Sequence, residues 1–195
     1  AALEDKTRVF MQTNIYRFCG QALDIVSRTF YNGRLQATPD APSTEMKWIK
    51  VDGQVAIDNH KSKYNEAEIA QVVMLVKGIE PQSIGIITSY RAQAERLSKK
   101  LNASHAQVLT VDSCQGREFD VVIVSLVDAD SFFVNNRERL NVSFTRAKRA
   151  NYIIGSVPSK PGPLQDVYSA IDKQGGAQSP RNQAFHNFKK KSHRK

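Results

Sequence analysis

No apolar run in this sequence approaches the ~20 residues a membrane span requires. The opening stretch "AALEDKTRVF" lacks the basic-then-apolar order of a secretion signal. Cysteine is scarce. Only Cys19 and Cys114 occur among 195 residues, so far apart that they give neither a disulfide framework nor a metal-ligand spacing, which fits a reducing, intracellular setting. The four histidines, His60, His105, His186 and His193, are scattered and none adjoins a cysteine. No metal site is expected within the chain. An initiator Met is missing too; the chain reads as a piece of something longer, although Met removal or processing gives the same start. No internal repeat is visible.

Acid is the residue class missing from the last fifteen positions. "RNQAFHNFKKKSHRK" carries six of the nine net positive charges, leaving three for all the rest. Such a tail either contacts phosphates electrostatically or is a solvated end that aids solubility. It also serves equally as an address or a nucleic-acid contact, so nuclear and cytoplasmic residence stay open.

What is present reads as an α/β pattern. "EMKWIKVDG" is a short strand ending in a turn, and "NEAEIAQVVMLVKG" a helix. Asn65 and Glu68 suggest its capping box, Ile69, Val72, Val73 and Val76 its apolar face, and Gly78 its end. "SIGIITSY", "AQVLTV" and "DVVIVSLV" are buried strands. "RAQAERLSKKL" is a solvent-facing helix with Glu95 and Lys99 one turn apart. "RERLNVSFTRAKRA" has helical character and "NYIIGS" is a last strand. Strands without alternation, separated by helices, predict a mainly parallel sheet covered on both faces, with ligands at strand ends. The pattern dissolves after Ser156. The expected division is therefore 1–156 as one domain, and 157–195 as linker, one short helix "LQDVYSAIDK" and a basic, disordered tail.

The stretch "TVDSCQGREFDVVIVS" puts Gln115, Gly116, Arg117 and Glu118 just before an apolar strand. Asp112 to Gln115 has the spacing of a helix start. Gly116 permits a positive φ or a close backbone approach. Glu118 can accept two hydroxyl hydrogen bonds, as a ribose offers, while Arg117 can pair with Asp120 or a phosphate. A capped turn with a surface ion pair explains the loop equally well. In "RERLNVSFTRAKRA", Arg139 and Arg146 are two helical turns apart and would share a face. Arginine suits a bidentate grip on phosphate, because its fork is planar and always charged.

In order and spacing, these pieces resemble motifs V and VI of superfamily-1 helicases, in the group containing the nonsense-mediated-decay RNA helicase. "IYRFCGQALDIVSRTFYNGRLQ" resembles that group's Tyr-Arg motif and its "FY-x-G-x-L", and "SIGIITSYRAQAERL" resembles motif IV. The resemblance runs from Phe10 to Ser156. It implies a second RecA-like domain of the P-loop NTPase fold, closing over ATP and Mg2+ held mainly by a first domain. It further implies that Tyr16 stacks on the base, Arg17 reaches the γ-phosphate, and Gly116 and Glu118 approach phosphates and ribose. Arg139 would belong to the same ATP site, or hold the motif VI segment by ion pairing. Arg146 would be the arginine finger, and Thr88, Ser89 and Thr110 would line a channel for single-stranded RNA or DNA.

The chain departs from the family pattern in places. Ile15 stands where Gln or Asn usually precedes the Tyr-Arg pair, Ser89 where a proline is expected, and Phe18-Cys19-Gly20 where Met-His-Pro follows. No G-x-x-x-x-G-K-[ST] occurs, nor a paired Asp-Glu upstream of Tyr16. This chain alone is therefore not expected to hydrolyse ATP, and an N-terminal RecA-like domain with Walker A and B motifs is its implied partner. Two other functions stay open: a non-catalytic nucleic-acid-binding module of the same fold, and an interaction domain docking on acidic partners. Nothing in the residues chooses RNA over DNA; a 5′ to 3′ polarity follows from the family alone.

Overall fold

A computed structural model of the chain describes residues 13–80, 82–101 and 104–180. The basic tail and the N-terminal start of the resemblance lie outside the described residues. In chain order the elements are β1 (Asn14–Ile15), α1 (Gln21–Tyr31), β2 (Gln36–Ala37), β3 (Glu45–Lys50), β4 (Ala56–Ile57), β5 (Lys63–Tyr64) and α2 (Glu66–Gly78). Then come β6 (Ile84–Thr88), α3 (Arg91–Lys100), β7 (Ala106–Thr110), a 3-10 turn (Asp112–Cys114) and β8 (Phe119–Ser125). The last are α4 (Arg137–Phe144), β9 (Ala147–Gly155), α5 (Pro163–Lys173) and β10 (Ala177–Gln178).

Six strands form one sheet in the order β10-β3-β9-β8-β6-β7, and every pairing is parallel. Continuous β-branched runs allow this, because both faces are covered. On one face α1, α4 and α5 supply Ile25, Phe144, Leu164 and Ile171 against Trp48, Val122 and Ile153. On the other, α2 and α3 supply Ile69, Val72, Leu75 and Leu97 against Ile84, Ile86, Val121 and Ile123. The α/β class and RecA-like architecture expected from the sequence are present.

Four local expectations are corrected. First, the helix in "RERLNVSFTRAKRA" ends at Phe144 with Thr145 as its cap, and β9 already begins at Ala147. Arg146 thus occupies the joint between helix and strand, so Arg139 and Arg146 do not share a helical face. Second, Asn65 does cap α2, its side chain accepting from Ala67 N and Glu68 N, but Glu68 does not close a capping box. It turns inward instead and accepts from Ser125 Oγ (2.7 Å) and Val127 N (2.9 Å). Third, the i,i+4 ion pair along α3 is Arg91–Glu95. Fourth, packing does not stop at Ser156: α5 buries Leu164, Val167, Tyr168 and Ile171, and β10 pairs with β3. The folded body extends to Gln178.

Parallel strands put the two ends of the sheet to different uses. Thr88, Thr110 and Ser125 finish their strands at the carboxyl edge. Glu118 and Arg146 stand just before β8 and β9, at the amino edge, where Phe119 N donates to Arg146 O. The edges lie roughly 20 Å apart, six residues at ~3.3 Å. Gly85 fixes the amino edge. A Cβ there would fall 2.5 Å from the Phe119 ring, so glycine is what allows that ring to lie across β6 and anchor the residue after Glu118.

Candidate nucleotide and nucleic-acid sites

At the amino edge, Arg17 reaches across from the segment before α1. Its Nε donates to Glu118 Oε1 at 2.7 Å and its Nη1 to Thr145 O at 3.0 Å, while Nη2 pairs with the same carboxylate. Lys148 takes the other oxygen, Oε2, at 3.2 Å. The hydrogen bond from Arg17, reinforced by Lys148, holds the Glu118 carboxyl below its ordinary pKa. Glu118 is therefore an acceptor-only group near neutral pH.

Arg146 joins the cluster from the helix-strand joint. Its Nε donates to Val142 O (3.0 Å) and its Nη2 to Thr145 Oγ1 (2.9 Å). Burial, and then the nearby Arg17 charge, push its pKa down. Two guanidinium groups and an ammonium thus converge beside one carboxylate. Such an excess of cation, partly desolvated, is what a polyanion would relieve. Cys114 lies close enough to Arg146 for their charges to interact, but burial pushes its thiol up, so it remains an inert core thiol.

Tyr16 is exposed, and the Arg17 guanidinium lies 5.7 Å from its ring. Gly116 adopts φ +80°, and a Cβ there would meet no atom within 4 Å; the left-handed turn, rather than a close approach, calls for glycine. Arg117 donates to Gln107 Oε1 rather than pairing with Asp120, whose carboxylate accepts from Ser83 N. Lys148, the second cation on Glu118, was not among the residues singled out by sequence. In "RAKRA" it is one of several charges with nothing local to set it apart.

Arg139 stands apart from this cluster. Its Nη2 pairs with Asp112 at 3.2 Å, and its guanidinium stacks 4.4 Å from the Phe133 ring. It ties the 3-10 turn to α4 and sits toward the carboxyl edge. Of the residues expected to line a channel, Ser89 is half-buried and Thr110 shares a hydrogen bond with Ser113. Thr88 is 1% exposed and its Oγ1 accepts from Tyr90 N. A contact by its side chain with a strand is not available in this arrangement, because the hydroxyl is packed beneath the loop it caps.

The family profile described as "AAA domain" matches residues 2–158. The chain belongs to that family. This AAA domain is 31% identical over 182 residues to the DNA polymerase alpha-associated DNA helicase A of Saccharomyces cerevisiae, covering 73% of this chain and 27% of that protein. It is 32% identical over 162 residues to a putative regulator of nonsense transcripts 1 from Takifugu rubripes, covering 67% and 15% respectively. With the human probable helicase senataxin it shares 39% over 121 residues, 53% of the chain and 4% of that protein. The chain spans about a quarter or less of the length of these relatives.

Among solved structures, the C-terminal domain of a possible DNA helicase from Lactobacillus plantarum resembles it with a TM-score of 0.54 at 20% identity. That match covers 85% of this chain and 98% of the other, a likeness of fold. The relatives place this AAA domain among the second, RecA-like motor domains of superfamily-1 helicases, in the group with the regulators of nonsense transcripts. Among the described residues no helix is long and apolar enough to cross a membrane.

Proposed function

We propose that this chain is the second motor domain of an ATP-dependent helicase acting on RNA or DNA, supplying the arginine finger and part of the single-strand channel. The observation that carries this reading is the convergence of Arg17, Arg146 and Lys148 on Glu118 at one edge of the sheet. The donor set suits a nucleoside triphosphate with Mg2+: guanidinium forks for the γ-phosphate, a carboxylate for ribose hydroxyls, and exposed Tyr16 for the base. ATP and its metal would be held mainly by an N-terminal RecA-like domain bearing the phosphate loop. Arg17 leaves Glu118 for the arriving phosphate, freeing the carboxylate for the sugar. Arg146, already oriented by Val142 O and Thr145 Oγ1, then stabilises charge on the transferred phosphoryl group.

The test is Arg146→Ala in the full-length protein, with nucleic-acid-stimulated ATP turnover as the readout. Loss of roughly 10³–10⁵ in rate is expected, with single-strand binding and the unfolding transition nearly unchanged. Turnover within a few-fold of the parent would refute the finger assignment.

A further inference from the structure

The most exposed large apolar side chain among the described residues is Phe132, at 91%. It sits in the loop between β8 and α4, on the carboxyl edge, beside Phe133, which is itself exposed. We propose that Phe132 and Phe133 form a stacking platform for an unpaired nucleobase of a single strand. This deepens the helicase reading above and rests on it: it adds a base-contacting surface to a channel otherwise assigned only backbone contacts.

Three observations carry the inference. The first is that Phe133, next to the fully presented Phe132, is backed rather than loose. Tyr90, just past the end of β6, lies 5.5 Å from the Phe133 ring, and the Arg139 guanidinium lies 4.4 Å from it, giving the ring a polarising cation partner. The second is that the loop is held in shape. Ser131 Oγ accepts from Tyr90 OH (2.9 Å) and Phe133 N (3.3 Å). Asn135 N donates to Ser131 O, and Asn135 Oδ1 accepts from Leu164 N. A ring presented on a tied loop loses little conformational freedom on binding.

The third is electrostatic. Of the acids near the platform, three are engaged. Asp112 pairs with Arg139 and Asp128 with Lys63 at 2.7 Å. Asp130 accepts from Ser159 N and Oγ and from Lys160 N. Meanwhile Arg137 and Lys160 are exposed. A passing phosphodiester meets these three carboxylates already engaged, while Glu138 is exposed beside Arg137 in the first turn of α4. Sequence-blind stacking on aromatic side chains beside a basic track is a recurring way to hold a single strand. The platform also lies at the same edge as Ser89 and Thr110, and it offers the exposed surface that buried Thr88 does not.

The test uses the 195-residue chain and short fluorescein-labelled oligothymidylate and oligouridylate, with affinity read by anisotropy. Phe132→Ala is expected to weaken binding by about 5- to 150-fold, while Phe132→Trp retains it. The slope of log affinity against log salt stays unchanged, since no charge is removed. Parent and Phe132→Ala converge on an oligonucleotide of the same length whose bases are removed. Comparison of the two sugar backbones shows whether one source of the base is favoured. Equal affinity of parent and Phe132→Ala for intact strands overturns the platform and leaves the channel reading standing. A loss that persists on the abasic strand overturns it in favour of an apolar contact of another kind. Failure of the parent to bind either strand overturns the platform, while the motor reading is decided separately by ATP turnover of the full-length Arg146→Ala variant.

Discussion

Glu68 offers a quantitative test of how the carboxyl edge is built. Its carboxylate is buried, accepts from Ser125 Oγ at 2.7 Å, and takes Val127 N on both oxygens at 3.0 and 2.9 Å. Those bonds favour the ionised form, but desolvation outweighs them and raises the pKa to about 7. For an acid shifted upward, the folded state holds its proton where the unfolded state has lost it. Stability contributed by this group is therefore complete below the unfolded value near 4.5 and falls as pH rises toward 7, at up to ~1.4 kcal/mol per pH unit. The integrated loss is roughly 3 kcal/mol by neutral pH, equivalent to a drop in Tm of roughly 6–12 °C for a domain of this size.

Glu68→Gln removes the titration while keeping the shape. The amide oxygen can take the place of Oε2 and accept from Ser125 Oγ and Val127 N, while Gln93 Nε2 still donates to Ser125 Oγ at 2.8 Å. The amide NH2 then faces Val127 N where Oε1 stood, a donor against a donor, costing about 1–3 kcal/mol at every pH. Denaturant unfolding from pH 5 to pH 8 should show the variant weaker than the parent at the acid end, and level with it or stronger at the alkaline end. Profiles that run parallel to within about 0.5 kcal/mol would refute the argument, because burial would then not be setting the proton's affinity.

Other perturbations test neighbouring claims. Asn65→Ala removes the cap of α2 and should destabilise by about 1–2 kcal/mol in urea unfolding; no change would mean the two amides find water instead. Gly85→Ala drives a methyl into the Phe119 ring and should cost about 1–3 kcal/mol, with ATP turnover of the full-length protein falling alongside as Glu118 shifts. Truncation after Ser156 strips away four buried apolar side chains of α5, worth about 1.5–3 kcal/mol each. That is comparable with the whole stability of a domain, so the shortened chain should lose its cooperative melt; a sharp transition would restore the boundary at Ser156.

Much of this architecture was legible because β6 and β8 are apolar β-branched runs that cannot sit on a surface, whereas β7 lies half-buried at the sheet edge. Asn65 and Gly78 likewise punctuate α2 by local chemistry. The α4–β9 joint was not legible. "TRAKRA" has the composition of a helix, and only pairing of Ala147 and Ala150 with β8 draws it into the sheet. Glu68 misled for a related reason: its spacing from Asn65 fits a capping box, and nothing local reveals that Ser125 and Val127 wait above it. β10 was missed because two residues carry no periodicity. The cluster of Arg17, Glu118 and Arg146 was readable as separate motifs, but its ion-pair network, with Lys148 as a member, exists only once three distant segments meet. Phe132 left no signal, since a lone aromatic in a loop looks like any other.

The order of strands in the sheet also governs when the molecule becomes whole. β3 is an early strand, yet its neighbours are β9 and β10, so Met46 pairs with Asn151 and Trp48 with Ala177. At ~5–20 residues per second of synthesis, the β3 strand waits several seconds or longer for partners about a hundred residues downstream. Until then the indole that ends fully buried is open to water or to a chaperone. Such long-range closure makes for slow folding. Trp48 is the single tryptophan of the chain, and its emission would mark the moment at which the last strand arrives.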